Sequence, residues 1–197
     1  VDGEDALIGN VPILITTGDG DDTIIGTAGI DTINSGAGDD SIVSRGGDDI
    51  ITAGMGDDFI DADGGNDLIF GEDGNDTIFG GNGDDTIDGG VGDDLLEGDD
   101  GNDRHRGGDG NDTIRGGDGN DTANGGNGDD SIDGEAGNDL LTGMDGDDIV
   151  VGSFDDDTVL GGDGHDAVLG GAGDDIVLGG DGNDTVRGHS GDDTVAG

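Results

Sequence analysis

A chain of 197 residues in which 28% are hydrophobic, 2% are aromatic and 50 residues are glycine does not have the composition of an ordinary globular domain. Its formal net charge of -46, with five Lys and Arg residues in total, excludes a phosphate-binding surface for nucleic acid. Composition alone predicts an acidic chain that is disordered without metal ions. The chain has no cysteine, so neither disulfides nor zinc–thiolate sites can stabilise its fold.

Residues 1–16 form the first predicted segment. Ile13-Leu14-Ile15-Thr16 predicts a short strand with Ile15 facing inward, whereas the turn before it, Gly9-Asn10-Val11-Pro12, carries no aspartate. We interpret the segment as a metal-free N-terminal capping strand or as the end of a preceding domain. Because the chain starts at Val1 without a signal peptide or a long apolar run, we expect it to be a piece of a longer parent chain with neighbouring domains and no direct membrane insertion.

Residues 17–196 are a nonapeptide repeat, and twenty copies (180 residues divided by 9) fit end to end without insertion or deletion. We number the positions one to nine within each copy. Position four is glycine in every copy but one, which has Asp155, and position eight is Ile, Leu or Val in all copies but two, which have His105 and Ala123. Position six is aspartate in every copy, namely Asp22, Asp31, Asp40, Asp49, Asp58, Asp67, Asp76, Asp85, Asp94, Asp103, Asp112, Asp121, Asp130, Asp139, Asp148, Asp157, Asp166, Asp175, Asp184 and Asp193.

Each position of the repeat has a physical interpretation. The glycines indicate tight turns with positive φ, which residues with a Cβ adopt only at a cost. The aspartate supplies hard carboxylate oxygens, which suit calcium, a cation that takes six to eight oxygen ligands including backbone carbonyls. The three residues after it, such as Thr113-Ile114-Arg115, are too few for a helix and are rich in β-branched side chains. They predict a three-residue strand whose middle side chain faces inward.

The pattern Gly-Gly-x-Gly-x-Asp-x-apolar-x, as in Gly107–Arg115, resembles the calcium-binding repeat of the RTX (repeats-in-toxin, or haemolysin-type) family. The resemblance covers about nine tenths of the chain, in unbroken register. It implies an all-β solenoid, a right-handed parallel β-roll with two short strands and two calcium-binding turns per 18-residue coil, so that equivalent positions restack every 18 residues.

The resemblance also implies where calcium binds. One loop provides the carbonyls of positions one and three plus its aspartate, and the next loop on the same edge provides the carbonyls of positions two and four plus its own. Asp112 would then share an ion with Asp130, and Asp121 with Asp139. Ten loops on each edge leave nine gaps, so up to about eighteen ions fit. The position-four carbonyls belong to Gly20, Gly38, Gly47, Gly56, Gly65, Gly74, Gly83, Gly92, Gly101, Gly110, Gly119, Gly128, Gly137, Gly146, Gly164, Gly173, Gly182 and Gly191.

The function implied by the resemblance is that of a calcium-binding module of a secreted bacterial protein, such as a toxin, exported by a type I system. The module would fold on meeting calcium outside the cell, aid export and then act as a rigid scaffold. Two alternatives stay open: a folding or substrate-binding module of a secreted protease, lipase or polysaccharide-modifying enzyme, and an adhesin or surface-layer segment. We expect no catalytic residues in this fragment, because a pair such as His189 and Ser190 has carboxylates nearby in any case.

Some copies depart from the pattern. In copies one to four, Thr17, Ser35, Ser44 and Arg45 replace glycines and Ile30 replaces Asp or Asn, so we expect weaker sites there. Copies five to seven place Phe59 and Phe79 on one sheet and Phe70 on the other, as isolated exposed residues. Outward apolar residues in copies fifteen to eighteen, two on each sheet, suggest burial against a neighbouring domain or cap. They are Val151, Leu160, Leu169 and Leu178.

Copy ten carries Arg104-His105-Arg106 in place of the usual strand. A binding site for an anionic partner is one interpretation. The 18-residue restacking favours another, in which Arg115 lies between Glu97 and Asp133, and Arg106 between Asp88 and Asn124, as cross-strand charge pairs. We expect His105 at its inward position to reduce local stability, and His165, in an Asp/Asn slot, to lie on the loop surface.

Overall fold

A computed structural model describes residues 10–197 and shows an all-β chain of twenty-one strands. Residues 1–9 of the predicted N-terminal segment lie outside the described residues. The strands are β1 Leu14–Asp19, β2 Thr23–Ile25, β3 Thr32–Ala37, β4 Ser41–Val43, β5 Ile50–Met55, β6 Phe59–Asp61, β7 Leu68–Asp73, β8 Thr77–Asn82, β9 Thr86–Val91, β10 Leu95–Asp100, β11 Arg104–Asp109, β12 Thr113–Asp118, β13 Thr122–Asn127, β14 Ser131–Ala136, β15 Leu140–Asp145, β16 Ile149–Phe154, β17 Thr158–Gly164, β18 Ala167–Ala172, β19 Ile176–Gly182, β20 Thr185–Ser190 and β21 Thr194–Ala196.

The strands form two parallel sheets, one from the eleven odd-numbered strands and one from the ten even-numbered strands. Each strand pairs with the strand two further along the chain, and paired residues are 18 apart, as in Leu96, Ile114 and Ile132. Because each strand lies in the sheet opposite its predecessor, two nonapeptides make one coil. The predicted parallel β-solenoid with 18-residue restacking is confirmed.

Most strands are longer than predicted. Only β2, β4, β6 and β21 have three residues, and the others have six or seven, so the prediction of three-residue strands was wrong for most of the chain. Pairing runs through positions seven to nine, passes over position one and resumes at positions two and three of the next copy. In β10, Leu95 to Glu97 are paired, Gly98 is not, and Asp99 and Asp100 are. Backbone pairing between stacked coils therefore extends each strand into the turn.

The core between the two sheets consists of position-eight side chains, contributed by the sheets in alternation, together with Ala53 and Ala62 of position one. Eighteen successive copies, from Ile24 to Val177, bury this side chain, including His105 and Ala123, whereas Val186 is partly buried and Val195 is 46% exposed. The prediction that position eight faces inward is confirmed. At the other end, Ile15 in β1 pairs with Ile33 and packs against the same core, as expected for the first strand.

The outward apolar residues lie on the sheets predicted for them. Val151 pairs with Leu169 on the even-numbered sheet and Leu160 with Leu178 on the odd-numbered one, and all four are half-buried. The phenylalanines differ in one respect from the expectation of isolated side chains. The rings of Phe59 and Phe79, both on the even-numbered sheet, have centroids 5.8 Å apart. This distance is typical of an aromatic pair.

Candidate metal centres

The turns hold their conformation whether or not the residue is glycine. Positive φ recurs at positions two and four, for example 124° at Gly108 and 142° at Gly110. Nine residues with a Cβ also have positive φ, one at position four and eight at position two. They are Asp155 at position four, and Arg45, Asp63, Glu72, Asp99, Glu135, Met144, Ser153 and His189 at position two. Such residues adopt this region only at a cost, so the stacked coils impose the loop geometry.

The position-six aspartates form a ladder along each edge of the solenoid. One carboxylate oxygen, Oδ1, accepts a hydrogen bond from the backbone N–H of the position-six residue one coil earlier. Asp112 N–H donates to Asp130 Oδ1 and Asp121 N–H donates to Asp139 Oδ1, each at 2.8 Å. The pairs of aspartates that were predicted to share an ion are therefore brought together by direct contacts.

In most copies the second carboxylate oxygen, Oδ2, is buried and has no hydrogen-bond partner within residues 10–197. This holds for seventeen of the position-six aspartates, namely Asp40, Asp49, Asp58, Asp67, Asp76, Asp85, Asp94, Asp103, Asp112, Asp121, Asp130, Asp139, Asp148, Asp157, Asp166, Asp175 and Asp184. Burying an unpaired carboxylate oxygen is costly, and a bound cation offsets the cost. The residues present therefore fit a row of hard cations.

Several of the buried position-six carboxylates have raised pKa values. The pKa of Asp94 is raised to about 7, chiefly by burial and also by the charges of Asp112 and Asp76, against a lowering by the hydrogen bond from Asp76 N–H. Burial and neighbouring carboxylates also raise the pKa of Asp103 and Asp130 to about 7. The ladder thus disfavours its own ionised form in the absence of a positive charge.

The backbone at position one lies close to the unpartnered Oδ2 atom of the position-six aspartate. A Cβ added to Gly71 would overlap Asp76 Oδ2 and lie 2.5 Å from the carbonyl oxygen of Gly89, which is position one of the next loop on that edge. A carboxylate oxygen and a carbonyl oxygen therefore approach the same point. In this loop the close approach leaves no room for a Cβ at position one, which favours glycine there.

The carbonyls of positions three and four also stack along each edge. The position-four carbonyl of Gly74 lies against Cα of Gly92, one coil later, and Gly92 N–H donates to the position-three carbonyl of Asp109 at 2.7 Å. A carbonyl oxygen has two lone pairs, so one acceptor site remains on each position-three carbonyl after this bond. The oxygen atoms of the predicted ligand set therefore lie along the same edge as the aspartate ladder.

Few acidic side chains meet at any one point. Within residues 10–197, no group of three or more His, Cys, Asp and Glu side chains has the geometry to hold a metal ion by itself. A cation at the ladder would therefore be held by at most two carboxylates, and backbone carbonyls would have to supply the remaining oxygens. Calcium accepts such a mixed set of hard oxygen ligands.

A second ladder at position five was missed by sequence reasoning. Here the side chain accepts a hydrogen bond from the backbone N–H one coil later, as when Asn111 N–H donates to Asp93 Oδ1 at 2.8 Å. His165 is exposed, as predicted, and its Nδ1 accepts from Asn183 N–H at 3.1 Å, in place of the Asp or Asn oxygen. The preference for Asp and Asn at position five was the available signal, since both provide this acceptor.

The basic residues of copies ten and eleven pair across strands. Arg106 lies 3.2 Å from Asp88 and Arg115 lies 3.4 Å from Glu97, and the strand register places Asp133 on the other side of Arg115. The structural interpretation of these arginines is therefore favoured over an anion-binding site. His105, in contrast, has no partner for either ring nitrogen among the described residues, and burial lowers its pKa to about 4.

A comparison with protein-family models identifies one match. The model of the RTX calcium-binding nonapeptide repeat, which describes four copies, matches residues 16–51, 41–69, 70–104, 106–141, 142–177 and 169–197. No curated protein matched the chain. In the described part of the chain, no helix has the length and apolar character needed to span a bilayer.

Proposed function

Because the chain belongs to the RTX calcium-binding nonapeptide-repeat family, we propose that it is a β-roll module that folds by binding calcium ions between successive loops on each edge. The observation that carries this proposal is the row of buried, unpartnered Oδ2 atoms along both edges. Each ion would satisfy oxygens that the protein itself leaves without a partner. The number of such sites, up to about eighteen, belongs to the proposal as well.

The proposed ligands follow the repeat. Each ion would be held by the position-six carboxylates of two loops on the same edge, such as Asp112 with Asp130 or Asp121 with Asp139. Carbonyls of positions one to four, such as Gly110 and Gly119 at position four, would complete the shell. The structure supports this assignment through the hydrogen bonds that join each pair of aspartates and through the free oxygen that each of them retains.

Charge explains why folding would depend on the cation. Eighteen divalent ions would add +36 to the formal net charge of -46 and leave about -10. A ligand present at about ten times its Kd stabilises the bound form by ~1.4 kcal/mol per site. Extracellular calcium modules typically have Kd values of ~10⁻⁴ to 10⁻³ M, far above cytosolic calcium. The fold would therefore form outside the cell and not inside it.

We further propose that the module belongs to a secreted bacterial protein, aids export by folding after it leaves the cytosol, and then acts as a rigid scaffold for neighbouring domains. The half-buried outward pairs Val151–Leu169 and Leu160–Leu178 support contact with another domain, because apolar side chains on an otherwise acidic surface favour burial. The family membership supports the secreted location.

The proposal is tested by far-ultraviolet circular dichroism during a calcium titration, with magnesium as the control ion. We expect a cooperative gain of β signal with calcium alone. Asp94→Asn should raise the calcium concentration at the midpoint and lower the number of ions bound, because Asp94 Oδ2 is buried and unpartnered.

Asp93→Asn is the matched control, since it removes the same charge one residue earlier. Asp93 is exposed, and an asparagine there retains the oxygen that accepts from Asn111 N–H. Its midpoint should stay close to that of the unchanged protein. An undiminished β signal in chelator at neutral pH, or equal effects of the two substitutions, would contradict the proposal.

A further inference from the structure

The loop of copy two, residues 26–34, differs from every other loop in its backbone. Position two has positive φ in nineteen of the twenty copies, and the exception is Thr27. Arg45, Met144 and Ser153 accept this conformation, but none of them is β-branched. A β-branched residue at positive φ is a genuine outlier, so Thr27 takes a different conformation and the loop changes with it.

The changed conformation gives Asp31 hydrogen-bond donors that the other position-six aspartates lack. Thr27 N–H donates to Asp31 Oδ2 at 2.7 Å, and the Thr27 hydroxyl lies 3.1 Å from both carboxylate oxygens. Ile13 N–H donates to Asp31 Oδ1 at 2.9 Å, which continues the ladder into the first strand. Asp31 is fully buried, yet both of its oxygens are satisfied by the protein.

The same threonine joins the loop to the segment before the repeat. Its hydroxyl lies 3.1 Å from the carbonyl oxygen of Val11 and accepts from Gly29 N–H at 3.1 Å. The next loop on this edge also uses a hydroxyl, since Ser44 donates to the carbonyl of Ala62 at 3.0 Å. The Oδ2 atom of Asp49, in the loop of Ser44, nevertheless stays without a partner, so of these two loops only that of copy two satisfies its own carboxylate.

Strand pairing at this end of the edge also differs from the pairing in later copies. β2, β4 and β6 end at Ile25, Val43 and Asp61, before the turn, whereas β8 continues through the turn to Asn82. Isolated bridges from Gly46 to Gly64 and from Gly64 to Asn82 still pair position three of copies four, six and eight. Among the described residues, the loop of copy two is the only one of these four loops without such a pairing.

We infer that Thr27 closes the loop of copy two without calcium, so that the calcium array on the edge of the even-numbered copies begins at copy four. The inference rests on the proposed function, because it concerns which gaps of that array are used. It removes one of the nine gaps on this edge, the gap between Asp31 and Asp49. The maximum then falls from eighteen ions to seventeen, and the coil nearest the N-terminus is held by protein donors.

Thr27→Gly is the test, read as the number of ions bound at saturating calcium by native mass spectrometry of the full 197-residue chain. Glycine permits positive φ and removes the hydroxyl, which frees Asp31 Oδ2 for a cation. We expect Thr27→Gly to bind one more ion than the unchanged protein. Thr27→Val is the control, because it keeps the β-branch but loses the hydroxyl, and it should bind the same number as the unchanged protein. An equal count for Thr27→Gly and the unchanged protein would overturn the inference.

A second measurement separates this inference from the proposed function and does not depend on how Thr27→Gly folds. Asp31→Asn should remove no ion, because Asp31 is satisfied by Thr27 and Ile13, whereas Asp94→Asn should remove ions from the two gaps that Asp94 borders. If Asp31→Asn removes an ion, the inference is wrong and the proposed function stands. If Asp94→Asn removes none, the proposed function itself fails.

Discussion

The loops of copies one to six and those of copies seven to twenty stack in the same way but differ in the residue at position one. From Gly71 onward, position one is always glycine, and the backbone closes over a carboxylate oxygen that has no protein partner. In the first six copies all but one of the position-one residues carry a side chain. They are Thr17, Ser35, Ser44, Ala53 and Ala62.

Those side chains supply direct contacts between coils. The hydroxyls of Thr17, Ser35 and Ser44 each donate to the position-one carbonyl of the next loop on their edge, at 2.7, 2.8 and 3.0 Å. Ala53 and Ala62 are fully buried and join the apolar core. One end of the solenoid therefore has side-chain contacts between coils in addition to the free oxygens of Asp40, Asp49, Asp58 and Asp67. The rest of the solenoid has free carboxylate oxygens without such side-chain contacts at position one. The same coil geometry tolerates both solutions because the backbone pairing is common to them.

If the two regions differ only in their loops, a charge placed in the shared core should unfold both. Ile42→Asp in the first region and Ile114→Asp in the second both replace fully buried side chains. Removing a buried isoleucine costs roughly 2–5 kcal/mol, and the unpaired carboxylate adds to this. We expect both variants to lose the cooperative β signal at saturating calcium.

Val195→Asp is the control for this experiment, because Val195 occupies position eight of the last copy but is 46% exposed. It should change stability little, by ~0.5 kcal/mol or less. Normal folding of Ile42→Asp alone would show that the first region does not depend on the core it shares with the second.

The pH dependence should be common to both regions, because the pKa of Asp67 in copy six is also raised to about 7, and its sign depends on calcium. In chelator, the folded-state pKa values of Asp94, Asp103 and Asp130 are raised to about 7 from 3.8. A raised carboxyl pKa stabilises the fold below the unfolded value, and that stability is lost as pH rises through the folded value. We therefore expect hydrogen-exchange protection in chelator to be highest in acid and to decline towards about pH 7, from the loop of Asp49 onward.

With calcium the direction reverses, because a cation requires the ionised carboxylates and competes with protons for them. The calcium midpoint should rise as the pH falls below about 7. A midpoint that does not change with pH would mean that the buried carboxylates do not hold the ion.

The repeat made several of these features predictable from sequence. Position six and position eight were identified because the same residue type recurs in nearly every copy, and the 18-residue restacking then placed Arg115 beside Glu97. The strand extension through Gly98 to Asp100 was missed because glycine and aspartate are poor strand formers, and pairing between coils overrides that preference. Thr27 was missed because its effect depends on a backbone conformation that sequence does not show.

Exchanging glycine and serine at position one tests the difference between the two regions with single substitutions. A Cβ at Gly116 would overlap Asp121 Oδ2 and lie 2.6 Å from the carbonyl oxygen of Gly134, so Gly116→Ser should weaken calcium-dependent folding by roughly 1–3 kcal/mol. Ser44→Gly removes the hydrogen bond to Ala62 and should lower stability in chelator by about 1 kcal/mol. Calcium and urea titrations of both variants measure these changes.

Ser44→Ala distinguishes the two contributions that Ser44→Gly removes together. It loses the hydrogen bond but keeps the Cβ, and Ala53 and Ala62 show that alanine fits at position one of this region. We expect it to fall between the unchanged protein and Ser44→Gly in chelator, because glycine adds the entropy cost of an unconstrained backbone. If Ser44→Gly were neutral in chelator while Gly116→Ser had no effect on the calcium midpoint, position one would not determine how strongly the folding of a loop depends on a cation. The difference between the two regions would then have to lie in positions two to five, where Thr27 and Arg45 also depart from the repeat.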